Sequence, residues 1–184
     1  GFAGVADAVE GAGLGAAALP DAQARGVELA VARAEPGAHD AGLEVQREPE
    51  RAGLRLSADD HVLEIGSGWG GFAQWAASRY GCRVTTTTIS EEQYRHVRDW
   101  AAGAGAVGDR VQVLRTDYRE LTGQFDKVVS IEMFEAVGLA HYDDYFGAVD
   151  RLLTPDGTML LQTITVSDQW FPRYHGSADW IEKY

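Results

Sequence analysis

His61-Val-Leu-Glu-Ile-Gly-Ser-Gly-Trp-Gly-Gly-Phe72 decides the fold of this chain. A short apolar run (Val62, Leu63, Ile65) carries one acid, Glu64, and runs into glycines at 66, 68, 70 and 71. Phe72-Ala-Gln-Trp-Ala-Ala77 follows with its apolar residues at helical spacing. A buried strand, a tight turn and a helix start, in that order, make a nucleotide-binding βα unit. Glycine serves such a turn twice: it accepts positive φ, and without a Cβ it lets a ligand touch the backbone.

Gly66-x-Gly68-x-x-Gly71 also fits the dinucleotide fingerprint, so the choice of nucleotide rests on the acids. A NAD site holds an anionic pyrophosphate and wants a ribose-binding acid at the end of the second strand. Here the second strand, Cys82-Arg-Val-Thr-Thr-Thr-Thr88, ends in threonine. The acid stands at Glu64, beside the first turn, where it would repel a diphosphate. A ligand with a cationic centre and an amino-acid end, such as S-adenosylmethionine, suits it better.

The chain has 184 residues, the length of one domain, and could bury roughly 70% of its unfolded surface. Sixteen basic against 28 acidic residues leave a net charge of -12, which disfavours nucleic acid and electrostatic attraction to anionic membranes. The single cysteine, Cys82, allows no internal disulfide and reads as a small core residue. No apolar run approaches the ~20 residues of a membrane span, and no signal peptide is visible. A cytoplasmic location is expected. His141 and His175 read as surface residues, and no histidine pair has metal-ligand spacing, so no metal is expected.

Two regions differ in kind. Residues 1–56 form an Ala/Gly-rich arm expected to be partly helical or disordered, with little to bury against its ordering entropy. Within it Ala22 to Ala34 reads as a helix ended by Pro36-Gly37, and Leu43 to Leu56 as a second helical segment broken by Pro49 and Gly53. Residues 57–184 alternate regularly. Strands are expected at 61–65, 83–87, 111–115, 127–131 and 159–166. Helices are expected from Gly71, from the Ser90-Glu-Glu-Gln93 capping box, and over 142–153. Repeated β-α alternation means an α/β, doubly wound, mostly parallel sheet. The loops after residues 65, 88, 116, 131 and 163 should then surround one crevice at the carboxyl ends of the strands.

Five segments come in a distinctive order: Val62-Leu-Glu-Ile-Gly-Ser-Gly-Trp-Gly-Gly71, Thr88-Ile-Ser-Glu-Glu-Gln93, Asp117-Tyr-Arg119, Ser130-Ile-Glu-Met-Phe-Glu-Ala-Val-Gly138 and Leu160-Leu-Gln-Thr-Ile164. In these the chain, over about residues 54–184, resembles the cyclopropane-fatty-acyl-phospholipid synthases and mycolic-acid cyclopropane synthases. The resemblance implies a Rossmann-like class I methyltransferase using S-adenosyl-L-methionine on the double bond of an unsaturated acyl chain. Methyl- or methylene-branching lipid methyltransferases are relatives of the same kind. A SAM-binding fragment without activity and, more remotely, a NAD-dependent oxidoreductase are the rival readings. The lipid substrate would bring transient contact with a membrane surface, at its cytoplasmic face.

The resemblance also implies roles. Glu64, Gly66, Ser67, Gly68 and Gly70 would hold the methionine part of the cofactor. Thr88, Ile89 and Gln93 would line the adenosine pocket, though Gln93 also reads as the closing residue of its capping box. Asp117 and Tyr118 would meet the adenine, unless they are an ordinary turn acid and loop aromatic. The alkene must lie in line with the sulfonium methyl in a water-free site. In the family a bicarbonate-like anion serves as base, held by a cysteine, a glutamate, a histidine and a tyrosine. Glu135 matches the glutamate, and Gln162 stands where the histidine is expected. An amide donates a hydrogen bond but relays no proton. The cysteine segment has no counterpart before Leu54, and the tyrosine lies beyond Tyr184. The resemblance thus implies a core truncated at both ends, lacking the last strands, with strand five as an open edge. Trp170, Phe171, Tyr174 and Trp180 are expected to cover that edge or join the core, with the lining of an acyl-chain channel as the alternative.

Overall fold

The computed structural model describes residues 28–34 and 54–164. Six strands form one sheet: β1 (Glu28–Ala34), β2 (His61–Ile65), β3 (Arg83–Thr87), β4 (Val111–Leu114), β5 (Phe125–Ile131) and β6 (Leu153–Ile164). Their order is β1-β6-β5-β2-β3-β4, and every pairing is parallel. Three α-helices lie among them: α1 (Gly71–Tyr80), α2 (Glu91–Gly103) and α3 (Tyr142–Leu152). The chain steps outward from β2 through β3 to β4, then returns to β5 on the other side of β2. That reversal opens a crevice between β2 and β5 at their carboxyl ends.

A parallel sheet must be covered on both faces, and the apolar residues sort accordingly. On one face Leu63, Ile65, Val128, Met159 and Leu161 pack with Tyr145, Val149 and Leu152 of α3 and with Phe134. On the other, Val62, Val84, Val129 and Leu160 pack with Phe72, Ala73, Ala76 and Ala77 of α1, together with Leu54 and Cys82. Alternation along β2 puts Glu64 on the same side as Val62, the α1 side.

Several expectations change. The helix read over Ala22 to Ala34 is strand β1 over 28–34, in register with Thr158–Ile164 of β6. Glu28-Leu-Ala-Val-Ala-Arg-Ala34 alternates as well as it spirals, and pairing along the open side of β6 settles it as a strand. For the same reason β6 is not the open edge: β1 covers it, and the four tail aromatics assigned to that task lie outside the described residues. Of the second helical segment, residues 43–53 lie outside the described residues, and 54–56 are not helical. Leu54 is instead a fully buried anchor of the α1-side core. Pro155-Asp-Gly157 does not precede strand five but bulges within it. Leu153 pairs with Phe125 and Thr158 with Lys127, so five positions of β6 oppose two of β5.

Candidate functional site

A cavity of about 820 Å³ occupies the crevice. Its walls come from the turn after β2, the β3–α2 loop, the loop after β4 and the loop after β5, four of the five loops expected there. The fifth, after residue 163, runs out of the described residues.

The turn after β2 is fixed by the chain itself. Gly66 N–H and Ser67 N–H both donate to Thr87 O, at 3.0 and 2.9 Å, and Gly70 N–H donates to Ser67 O at 2.8 Å. Gly66, Gly68 and Gly70 have φ of 93°, 47° and 86°. A Cβ at Gly66 would stand 2.8 Å from Met133 Cγ, whereas one at Gly68 would meet nothing within 4 Å. The first glycine therefore admits a neighbouring loop, and the second leaves room on the cavity side.

Glu64 reaches this cavity from inside the sheet with only 3% of its surface exposed. Thr86 Oγ1 donates to its Oε2 at 2.6 Å. Burial pushes its carboxyl up to about 8, against the pull of that hydrogen bond. A buried acid held near neutrality takes its charge readily when a cation arrives.

Ser90 caps α2 by accepting from Gln93 N–H at 3.3 Å. The reciprocal half of the capping box does not form. Ser90 N–H donates to Thr88 Oγ1 at 3.1 Å, and Thr88 Oγ1 donates to Gln93 Oε1 at 2.7 Å. Gln93 is thus turned to the cavity rather than back to its cap, with its NH₂ as the donor end. Ile89 lies on the rim, 79% exposed, and Trp69 stands 60% exposed at the same mouth, edge-on to His96.

After β4, Asp117 caps a single 3₁₀ turn. It accepts from Arg119 N–H and Nε at 2.9 Å and from Nη2 at 2.6 Å. The guanidinium holds its carboxyl below the usual range. The turn-acid role is therefore filled, and the same residue lines the cavity with lone pairs to spare. Tyr118 lies beside it in the wall, edge-on to Tyr145 at 5.3 Å.

The two residues expected to do chemistry stand back from the cavity wall. Gln162 is fully buried, and its Nε2 donates to Glu132 Oε1 at 3.0 Å. Glu135 accepts from Thr163 Oγ1 at 3.0 Å through Oε1. Gln162 and Thr163 are neighbours on a strand, so their side chains leave opposite faces and each acid follows its own partner. Sequence reasoning gave no role to Glu132, Met133, Val137 or Arg119, all of them in the wall, while His141 is exposed, as expected, and also borders the cavity. The run Ser130-Ile-Glu-Met-Phe-Glu135 offered two acids, and only the second was given a role.

A buried carboxylate, a glycine turn open on one side, an amide and an aromatic in one cleft can hold a nucleoside with a cationic amino-acid tail. A family profile for mycolic acid cyclopropane synthetase matches residues 45–184. A tuberculostearic acid methyltransferase of Mycobacterium tuberculosis is 43% identical over 124 residues, 67% of this chain and 29% of that protein. A cyclopropane-fatty-acyl-phospholipid synthase of Escherichia coli is 42% identical over 127 residues, 66% of this chain and 32% of that protein. The chain thus spans about a third of the length of these relatives. A mycolic acid cyclopropane synthase solved with SAH and CTAB superposes with a TM-score of 0.59 at 30% identity, over 63% of this chain and 41% of that one.

Proposed function

Because the chain belongs to the mycolic acid cyclopropane synthetase family, we propose that it serves an S-adenosylmethionine-dependent C-methyltransferase acting on the double bond of unsaturated acyl chains. The observation that carries the cofactor is Glu64: a carboxyl buried to 3% exposure beneath a glycine turn, which gains its charge against an ammonium and has no such partner in a pyrophosphate. No acid ends β3, where a nicotinamide cofactor would want one.

The residues present fit this cofactor. Glu64 would take the ammonium, and the backbone of Gly66, Ser67, Gly68 and Gly70 would follow the methionyl chain. Thr88 orients Gln93, whose NH₂ would donate to ribose hydroxyls, and Ile89 would cover that side. Tyr118 would stack near the adenine, with Asp117 accepting from its amino group. When bound, the cofactor supplies an electrophilic methyl group. Trp69 and Ile89, exposed at the mouth, offer apolar contact to an acyl chain arriving from a phospholipid at the cytoplasmic membrane surface.

Glu135, held by Thr163 behind the cavity wall, is the candidate proton acceptor and would have to turn into the cavity to act. The described residues do not fit a bicarbonate. The amide of Gln162, which stands at the expected anion-ligand position, is already engaged by a carboxylate, and a second anion would face repulsion there. Gln162 also favours a second reading, methyl or methylene branching without ring closure, because an amide bonded to Glu132 relays no proton from a cationic chain.

Thermal denaturation with S-adenosylmethionine, S-adenosylhomocysteine and NAD tests the cofactor. Ligand at ~100 times its Kd should raise the melting temperature by roughly 5–10 °C for the adenosyl compounds and leave it unmoved for NAD. Transfer of labelled methyl into unsaturated phospholipid then tests the reaction, and chromatography of the acyl product separates ring from branch. A shift with NAD alone, or adenosyl binding without any labelled lipid, would overturn the cofactor or the activity respectively.

A further inference from the structure

Among the described residues Glu132 is the one non-glycine residue with positive φ, at 50°. Such a backbone is strained for a residue with a Cβ and persists only where its surroundings over-determine it. Here Gln162 does so twice. Glu132 N–H donates to Gln162 O at 3.0 Å, and Gln162 Nε2 donates to Glu132 Oε1 at 3.0 Å. Gln162 is fully buried and laddered to Ile131, so the clamp is rigid. Glycine would adopt this backbone without strain, yet an acid is kept there, in the wall of the cavity.

The position of that acid is set by its neighbour. Met133 lies so close to Gly66 that no Cβ fits between them, which seats the 132–133 loop against the glycine turn. Glu132 therefore belongs to the same end of the cavity as Glu64. Four acidic or basic side chains besides His141 line the cavity: Glu64, Glu132, Asp117 and Arg119. Asp117 and Arg119 neutralise each other at 2.6 Å. Among the described residues no ion pair reaches Glu64 or Glu132. The methionyl end thus presents two acids, of which Glu64 ionises only when a cation arrives, and no cation of its own.

S-adenosylmethionine carries two positive centres at that end, an ammonium and a sulfonium. We infer that Glu132, positioned by Gln162, is the charge partner of the sulfonium, with Glu64 left to the ammonium. The inference rests on the cofactor reading above. Its consequence is discrimination: S-adenosylhomocysteine keeps the ammonium but has a neutral thioether, so Glu132 favours the charged cofactor over its spent form and eases product release.

Isothermal titration of both ligands into the wild-type chain, Glu132→Gln and Glu132→Gly tests this. Glutamine keeps an oxygen for Gln162 and removes the charge. It should weaken S-adenosylmethionine roughly tenfold, the worth of one partly solvated charge contact, and leave S-adenosylhomocysteine unchanged. Glycine, which removes the charge and the side chain together, should give the same split between the two ligands. Equal weakening of both ligands, or of neither, would overturn the inference while leaving the cofactor intact. A wild-type chain that binds neither ligand would overturn the cofactor reading and this inference with it.

Discussion

Glu64 and the glycines around it divide the work of the site between charge and space. The folded chain holds the Glu64 proton up to about 8, whereas the unfolded chain releases it near 4.5. Between those values the native state binds more protons than the unfolded one, so this group makes stability fall as pH rises through the window and adds no further slope above it. The melting temperature of the ligand-free chain should therefore decline from about pH 5 to about pH 8, and Glu64→Gln should flatten that decline. A cationic ligand stabilises the carboxylate, so binding at neutral pH should release a proton. Titration in two buffers of different ionisation enthalpy would detect it, and Glu64→Gln should abolish it. Two glycine substitutions separate folding from binding. Gly66→Ala forces a Cβ onto Met133 at φ 93° and should cost about 1–3 kcal/mol or more in urea denaturation. Gly68→Ala meets open space and should cost about 1 kcal/mol, yet weaken the ligand by filling the cavity side of the turn.

At the level of elements, α2 and β1 make opposite points. The Ser90 cap on α2 was legible because a hydroxyl followed by two acids and a glutamine is a local signal. Ser90→Ala should cost about 1 kcal/mol by chemical denaturation. It should also weaken adenosyl ligands, because α2 carries Gln93. The partner of the Gln93 side chain was not legible: Thr88 lies outside the box and takes over both the Ser90 N–H and the Gln93 oxygen. Strand β1 had no local signal strong enough to outweigh its alanines. Its state depends on β6, more than a hundred residues further on, whose free edge it pairs with over seven residues. Prolines at both Ala30 and Val31 must remove one donor that faces β6. That double variant should aggregate faster than the parent at equal concentration, by light scattering, since it reopens the edge. Unchanged solubility would mean that β1 does not protect it.

For the whole molecule, the net charge of -12 bears on how the chain would meet the lipid proposed as its substrate. Among the described residues no helix is long and apolar enough to cross a membrane. Association with lipid should then rest on apolar contact at the cavity mouth rather than on charge. Sedimentation with vesicles should show weaker binding to anionic than to zwitterionic lipid at low salt. The gap should close as salt screens the repulsion beyond a Debye length of about 8–10 Å. Preference for anionic vesicles would contradict this picture.

The sequence by itself determined the β-α alternation, the parallel sheet, the glycine turn and the acid beside it. Each of these is written in residues adjacent along the chain: apolar runs of strand length, turn glycines, a cap. Asp117 and Tyr118 were legible as cavity residues for a related reason, since they follow a strand whose carboxyl end must face the ligand, whereas Thr88 and Gln93 were placed there by the family resemblance. Tertiary structure alone decided which acid the buried amide of Gln162 would hold. Glu132 and Glu135 sit three residues apart, and the alternation of Gln162 and Thr163 across the end of β6 assigns one to each. It likewise decided that 28–34 is a strand and that Glu64 is buried deeply enough to keep its proton near neutral pH. Pairing, burial and charge balance are sums over residues distant in sequence, and no local pattern contains them.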